Sequence, residues 1–245
     1  MDRELMELIT NLPKKLDFEG FHLKFIKDVG EGDLNTVLNM CAITNRIYLI
    51  PRYIKVFERK RGYLPDFVYS YLALYYMKTL KIRKLREILP KSSNTMKLVV
   101  YMQFGLVKEV EEILDKTDLG KEEKTITLLN IKALKGEKID LNYLKSFESA
   151  RKLYWILSKA IRGFYLISRG YIEEGEETYK ETLNTCVKYD LLPLGIQTAI
   201  LYYSLTRNVL GLEQIRIICE SLGDRLKYLK TLIYRSFVEN ELIKA

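Results

Sequence analysis

The sequence predicts an all-α fold, an α–α superhelix (solenoid) of about six to seven antiparallel helical hairpins. Three observations predict it. Apolar residues recur at helical spacing along nearly the whole chain. No alternating apolar/polar run is closed by Asn-Gly or Asp-Gly, the usual mark of a strand pair. Very short turns separate the helical segments at a drifting interval, which is the signature of a helical repeat.

Leu5, Leu8, Ile9 and Leu12 mark a first short helix, and Phe18, Phe21, Phe25, Ile26 and Val29 a second. Leu34, Val37, Leu38 and Cys41 mark a third, with Asp33 placed as its cap. Pro51 suits the first turn of a helix running to about Arg61. Asp66 stands at the start of the apolar helix 67–78. Helical spacing then fits 81–89, 94–104, 107–116, 121–135, 140–147, 149–169, 171–190, 194–208, 212–222 and 224–243. The turns between are Asp28–Asp33, Thr79–Lys81, Phe104–Leu106, Lys135–Glu137, Arg169–Tyr171 and Leu210–Leu212. The apolar residues entering each second helix, from Ile82 through Val107, Ile139 and Ile172 to Leu212, are 25, 32, 33 and 40 residues apart. A two-residue turn makes consecutive helices antiparallel neighbours, and stacking on the next hairpin buries the apolar face each one leaves open. The last helix, from Asp224 to Ile243, should cap such an array with few apolar residues on its outer side. The reading is one helical-repeat domain over 1–245, whose basic N-terminal half would be 1–105 and whose C-terminal half 106–245.

The segment 156–189 carries the clearest internal pattern. Gly163 is followed by Gly170, Gly175 and Tyr179. Gly163 and Gly175 would let two helix axes approach where they cross, Gly170 would serve the turn, and Tyr179 and Leu183 would fill the groove beside the contact. A mid-helix Gly costs about 1 kcal/mol relative to Ala, so two of them argue for a packing reason. This pattern resembles a degenerate tetratricopeptide repeat. The departures are Lys159, Arg162, Leu166, Thr182 and Val187, which stand where that family prefers an aromatic, Leu, Tyr, Ala and Pro. The resemblance implies a scaffold that binds a protein or peptide in a groove lined by the first helices of its hairpins.

The chain has 245 residues, of which 48% are apolar and 29% charged, so it can build a core and is not disordered. Its net charge is +8, and one segment carries all of it. Residues 46–97 hold 13 Lys and Arg against three acids, Glu58, Asp66 and Glu87. The rest of the chain is close to balanced. The candidate binding residues are Lys78, Lys81, Arg83, Lys84, Arg86, Lys91 and Lys97. Tyr63, Tyr69, Tyr71, Tyr75 and Tyr76 lie among them.

Two functional readings and a structural one stay open here. An acidic protein partner would pair with the cations. DNA or RNA would release counterions from its phosphates and stack bases on Tyr. A helix-turn-helix can be drawn over 81–107, with Ile82–Leu89 first, Pro90–Ser93 as the turn, Thr95–Phe104 as the recognition helix, and Leu85, Leu89, Met96 and Val99 as its core. No hairpin wing follows, since 107–114 is plainly helical. Alternatively the cations are a solvated face and the Tyr residues pack between repeats.

Little points to catalysis. His22 is the single histidine, and Cys41, Cys186 and Cys219 are scattered without a CxxC. No Walker A loop, dinucleotide-binding Gly motif or HExxH zinc motif occurs. The acidic run Glu173, Glu174, Glu176 and Glu177 starts a helix, where carboxylates favour the dipole. Trp155 reads as core. The expectation is therefore a non-enzymatic interaction module without cofactor or metal, with a second copy of the chain as a further candidate partner. No signal peptide or membrane-spanning run is read from the sequence, so the expected location is cytoplasmic. Few Gln beside abundant Lys, Glu and Ile lean towards a thermophile.

Overall fold

The computed structural model describes residues 18–147, 152–189 and 191–244. The helix expected over Leu5–Leu12 lies outside the described residues. Within them every regular element is helical: fourteen α-helices and two short 3-10 turns.

The first compact unit comprises 18–119 and Leu222–Leu226. It holds α1 (Phe18–Asp28), α2 (Glu31–Ile43), α3 (Ile50–Arg61), α4 (Phe67–Lys78), α5 (Ile82–Ile88), α6 (Asn94–Gln103) and α7 (Val107–Leu114), with 3-10 turns at Ile47–Leu49 and Leu89–Lys91. The second unit comprises 120–221 and the chain from Lys227 onward. Its helices are α8 (Lys121–Leu134), α9 (Leu141–Ser146), α10 (Lys152–Ser168), α11 (Ile172–Lys188), α12 (Leu192–Leu205), α13 (Val209–Ser221) and most of α14 (Arg225–Lys244).

Local chemistry sets the helix ends. Pro51 sits in the first turn of α3. The Ser93 hydroxyl accepts from the Met96 amide to cap α6, and the Asp140 carboxylate accepts from Asn142 to cap α9. At α2 the capping position is Gly30 and not Asp33, which falls inside the first turn. The turn at Gly170 has φ +87°, and Leu80 and Arg207 take up the same left-handed geometry in their own turns. Gly211 is not a turn residue. It lies within α13, where a Cβ would come within 2.5 Å of the Tyr203 ring.

Within each unit most consecutive helices pack against each other, and some next-but-one helices also touch. The latter pairs are α2 with α4 and α4 with α6 in the first unit, and α8 with α10 and α10 with α12 in the second. Polar bonds repeat the same offset. Arg61 donates to the carbonyls of Asp28 and Val29, Tyr71 to Asn35, and Arg169 to the Gly136 carbonyl, at separations of 32–36 residues. Arg61 and Arg169 place a cation on carbonyls freed at a helix C-terminus, where the dipole favours it. This helix packing is that of a repeat arrangement.

The core of the first unit gathers Phe25, Leu34, Leu38, Ile50, Phe57 and Val68. Burying a side chain of this size contributes about 1.5–3 kcal/mol. Tyr71 and Tyr75 pack at its edge, as inter-repeat aromatics. His22 is half-buried and shares a 2.5 Å hydrogen bond with the Tyr53 hydroxyl. Lys78 and Asp224 form an ion pair at 3.2 Å with side chains only 8% and 1% exposed, and the Lys78 ammonium also bonds Asn45.

In the second unit α10 and α11 cross at the two glycines. A Cβ on Gly163 would lie 3.0 Å from Tyr179 Cδ2 and 3.3 Å from the Gly175 carbonyl. One on Gly175 would lie 2.5 Å from Ile167 Cγ1 and 3.0 Å from its backbone nitrogen. Tyr179 fills the space beside them and is fully buried. Lys159 and Arg162 reach across the same hairpin to Glu181 and Glu174. The acidic run of α11 thus serves cross-hairpin pairing as well as the helix dipole. Trp155 is half-buried under Lys159 and not fully in the core.

None of the three cysteines is in a disulfide, and all three are buried. Burial pushes the Cys41 thiol up to about 12 and the Cys186 thiol up to about 11. An unfolded thiol ionises near 8.5, so the folded state binds the extra proton above that pH. The stability is present below about pH 8.5 and is lost as pH rises through these folded values. Native protein should therefore resist thiol alkylation at neutral pH and lose stability between about pH 9 and 12. Iodoacetamide labelling against pH, followed by mass spectrometry, checks both; rapid neutral labelling of Cys41 would refute the burial argument.

Candidate interaction surface

The strongest concentration of exposed charge lies in the first unit, on α3 and α5. Both helices pack on α4. On α3 the inward face is Ile50, Tyr53, Ile54 and Phe57. The outward face is therefore Arg52, Lys55, Val56, Arg59 and Lys60, at i, i+3, i+4, i+7 and i+8. All five are exposed. The four cations have no acidic partner among the described residues, and they surround Val56, which is 39% exposed. Arg61, next along, turns back to the α1 carbonyls and is not part of this face.

On α5 only Leu85 is buried. Lys81, Arg83, Lys84 and Arg86 are exposed, and Lys91 is exposed in the 3-10 turn that follows. Three of these lysines lie over α4 rings. Lys84 is 5.9 Å from the Tyr76 centroid, Lys91 is 5.5 Å from Tyr69, and Lys81 is 4.9 Å from Tyr75 and donates to its hydroxyl. Tyr69 and Tyr76 share a face of α4 seven residues apart, and Lys84 and Lys91 match that spacing in the antiparallel direction. These rings are half-buried beneath ammonium groups, which leaves no open ladder for base stacking. Arg83 pairs with Glu87 at 3.5 Å on a fully solvated face, where such a pair contributes little.

Five of the seven candidate cations thus share the α5 region. Lys97 is half-buried on α6 and stands apart from them. Lys78 is a correction: its ammonium is buried against Asp224 and Asn45, so no partner reaches it. Arg52, Lys55, Arg59 and Lys60 were not singled out from the basic segment. Their i, i+3, i+4, i+7, i+8 spacing was the signal, once Ile50, Tyr53, Ile54 and Phe57 are recognised as the opposite stripe. On α7 the exposed residues include Glu109, Glu111 and Glu112, so the sign of the surface changes there.

The helix-turn-helix drawn over 81–107 is matched in part: Leu85, Leu89 and Met96 share one core cluster. Its helices form, but α6 packs on α4 and α7 and is not principally held by α5. The core position Val99 is 37% exposed, while Leu98 and Val100 are buried. Val99 is the one exposed residue of α6, whose polar residues Asn94, Thr95, Lys97 and Gln103 are half-buried.

No helix of the described residues is long and apolar enough to cross a membrane. The described residues contain no group of three or more His, Cys, Asp or Glu placed to hold a metal ion. Compared with known protein families, with curated proteins and with solved structures, the chain has no match in any of the three.

Proposed function

We propose that this protein is a non-enzymatic interaction scaffold of the tetratricopeptide-like helical-repeat type, an array of six or seven hairpins in the reading above. Its partner is an acidic protein segment that docks on the outward faces of α3 and α5. The observation that carries the reading is the α3 face, where four cations without acidic partners among the described residues ring an exposed valine. A carboxylate-rich peptide with an apolar residue at its centre matches that chemistry. A phosphate backbone would use the cations and leave Val56 unsatisfied. Interface cores combine an apolar anchor with a charged rim in this way. The rim charges chiefly accelerate and orient the encounter.

A photo-crosslinking amino acid at position 56, introduced in the source organism, should capture a discrete acidic protein. Arg52→Glu with Arg59→Glu should reduce that capture by at least about tenfold, the loss that corresponds to 1.4 kcal/mol. Capture of nothing, or capture indifferent to the charge reversal, ends the reading. A fluorescence titration with duplex DNA at two salt concentrations tests the competing partner. Tight salt-dependent DNA binding lost in the same double variant would replace the acidic protein with nucleic acid.

A further inference from the structure

We propose that the acidic segment docking on α3 is itself an amphipathic helix, held at Tyr48 as well as at Val56. This rests on the scaffold reading above and adds to it the secondary structure of the partner and a second anchor that sets its register.

Tyr48 lies in the 3-10 turn Ile47–Leu49, which runs directly into α3. Ile47 and Ile50 on either side of it are buried, whereas Tyr48 is 58% exposed. It precedes Arg52 by four residues and Lys55 by seven, so it extends the outward face of α3 by a turn. Along that face the order is Tyr48, Arg52, Lys55, Val56, Arg59 and Lys60, all of them exposed. Glu58 stays off it, four residues after Ile54 of the buried stripe. Two exposed apolar side chains thus stand eight residues apart, with two cations between them and two beyond. A contact that recurs every seven or eight residues recurs every second helical turn. That is the interval at which one helix meets another lying nearly along it.

The backbone argues for the same partner. Every regular element among the described residues is helical, so this surface offers no strand edge for an extended peptide to pair with. A peptide laid over Val56 in extended form would take its own amides and carbonyls out of water without partners. A helix satisfies those groups internally and presents side chains alone. Charge fixes its sequence pattern. Arg52 and Lys55 precede Val56 by four residues and one, and Arg59 and Lys60 follow it by three and four. The complement is a leucine with glutamates at the third and fourth positions after it, a second leucine at the seventh, and glutamates at the tenth and eleventh. All six fall on one side of a helix.

Fluorescence anisotropy on the full chain tests this, with a labelled peptide of about 18 residues that carries the pattern on an alanine and glutamine background, long enough to hold some helix in water. Two controls keep its net charge. One moves both leucines to the side opposite the glutamates, and the other places a proline before the second leucine, where it breaks the helix. The patterned peptide should bind at least about tenfold more tightly than either control and gain helical circular dichroism on binding. Tyr48→Ala should weaken it by about tenfold and leave the thermal midpoint unchanged, since the side chain is exposed. Binding of all three peptides alike, lost in Arg52→Glu with Arg59→Glu, overturns the helix and leaves the acidic-partner reading standing. Binding indifferent to Tyr48→Ala overturns the second anchor. Binding by none of the peptides, or binding that survives the charge reversal, overturns both readings.

Discussion

Replacing Gly175 with Ala should destabilise the protein although it improves the local helix. Ala gains about 1 kcal/mol in helix propensity over Gly. Against that, the new Cβ would meet Ile167 Cγ1 at 2.5 Å and the Ile167 nitrogen and Gly163 carbonyl at 3.0 and 3.1 Å. A side-chain tip can swing aside, but two backbones cannot, so α10 and α11 must separate along their whole contact. Overpacking of this kind costs about 1–3 kcal/mol, and Gly175→Val should cost more. Gly32 is the control. It lies inside α2 with open space where a Cβ would go, so Gly32→Ala should stabilise by up to about 1 kcal/mol. Thermal denaturation of both variants checks the opposite signs. If Gly175→Ala raises the midpoint as Gly32→Ala does, the close crossing is not what fixes glycine there.

Lys78→Met should be the most damaging single substitution in the first unit. It leaves the Asp224 carboxylate inside the protein without this cation, and breaking a buried pair from one side costs about 3–5 kcal/mol. The double replacement Lys78→Met with Asp224→Leu removes both charges together with the desolvation that opposes them. It should recover most of the loss. Urea denaturation of the two single variants and the double variant closes the cycle. Additive losses would mean that the two groups do not depend on each other.

Much of the helical framework was legible because periodicity is a property of each segment alone. The Gly163, Gly170, Gly175 and Tyr179 pattern was readable for the same reason: the crossing involves one hairpin and a turn within it. Gly211 was misread because a Gly beside two leucines looks like a turn, and only the position of Tyr203 shows otherwise. Lys78 was misread as a surface cation because Asp224, which holds it, is remote in sequence. The last helix, expected to carry few apolar residues on its outer side, instead exposes Leu229, Ile233, Phe237 and Ile243. The departures Lys159 and Arg162 make sense only with Glu181 and Glu174 in view. Charge position in sequence located the basic segment. Which of its cations face outward depended on knowing the buried stripe of α3.

The pairing of Lys78 with Asp224 also bears on the order in which the chain assembles. Most tertiary bonds join segments about one repeat apart, and such contacts form early because their loops are short. Closing the much longer loop to Asp224 adds little equilibrium cost, since each doubling of loop length adds only about 0.6 kcal/mol. On the ribosome the delay is larger. The first unit includes Leu222–Leu226, so it stays incomplete until nearly all of the second has been synthesised. Through that interval the site that will hold Asp224 has only a lysine to fill it, and the nascent chain carries an unfinished N-terminal unit until its C-terminal segment arrives.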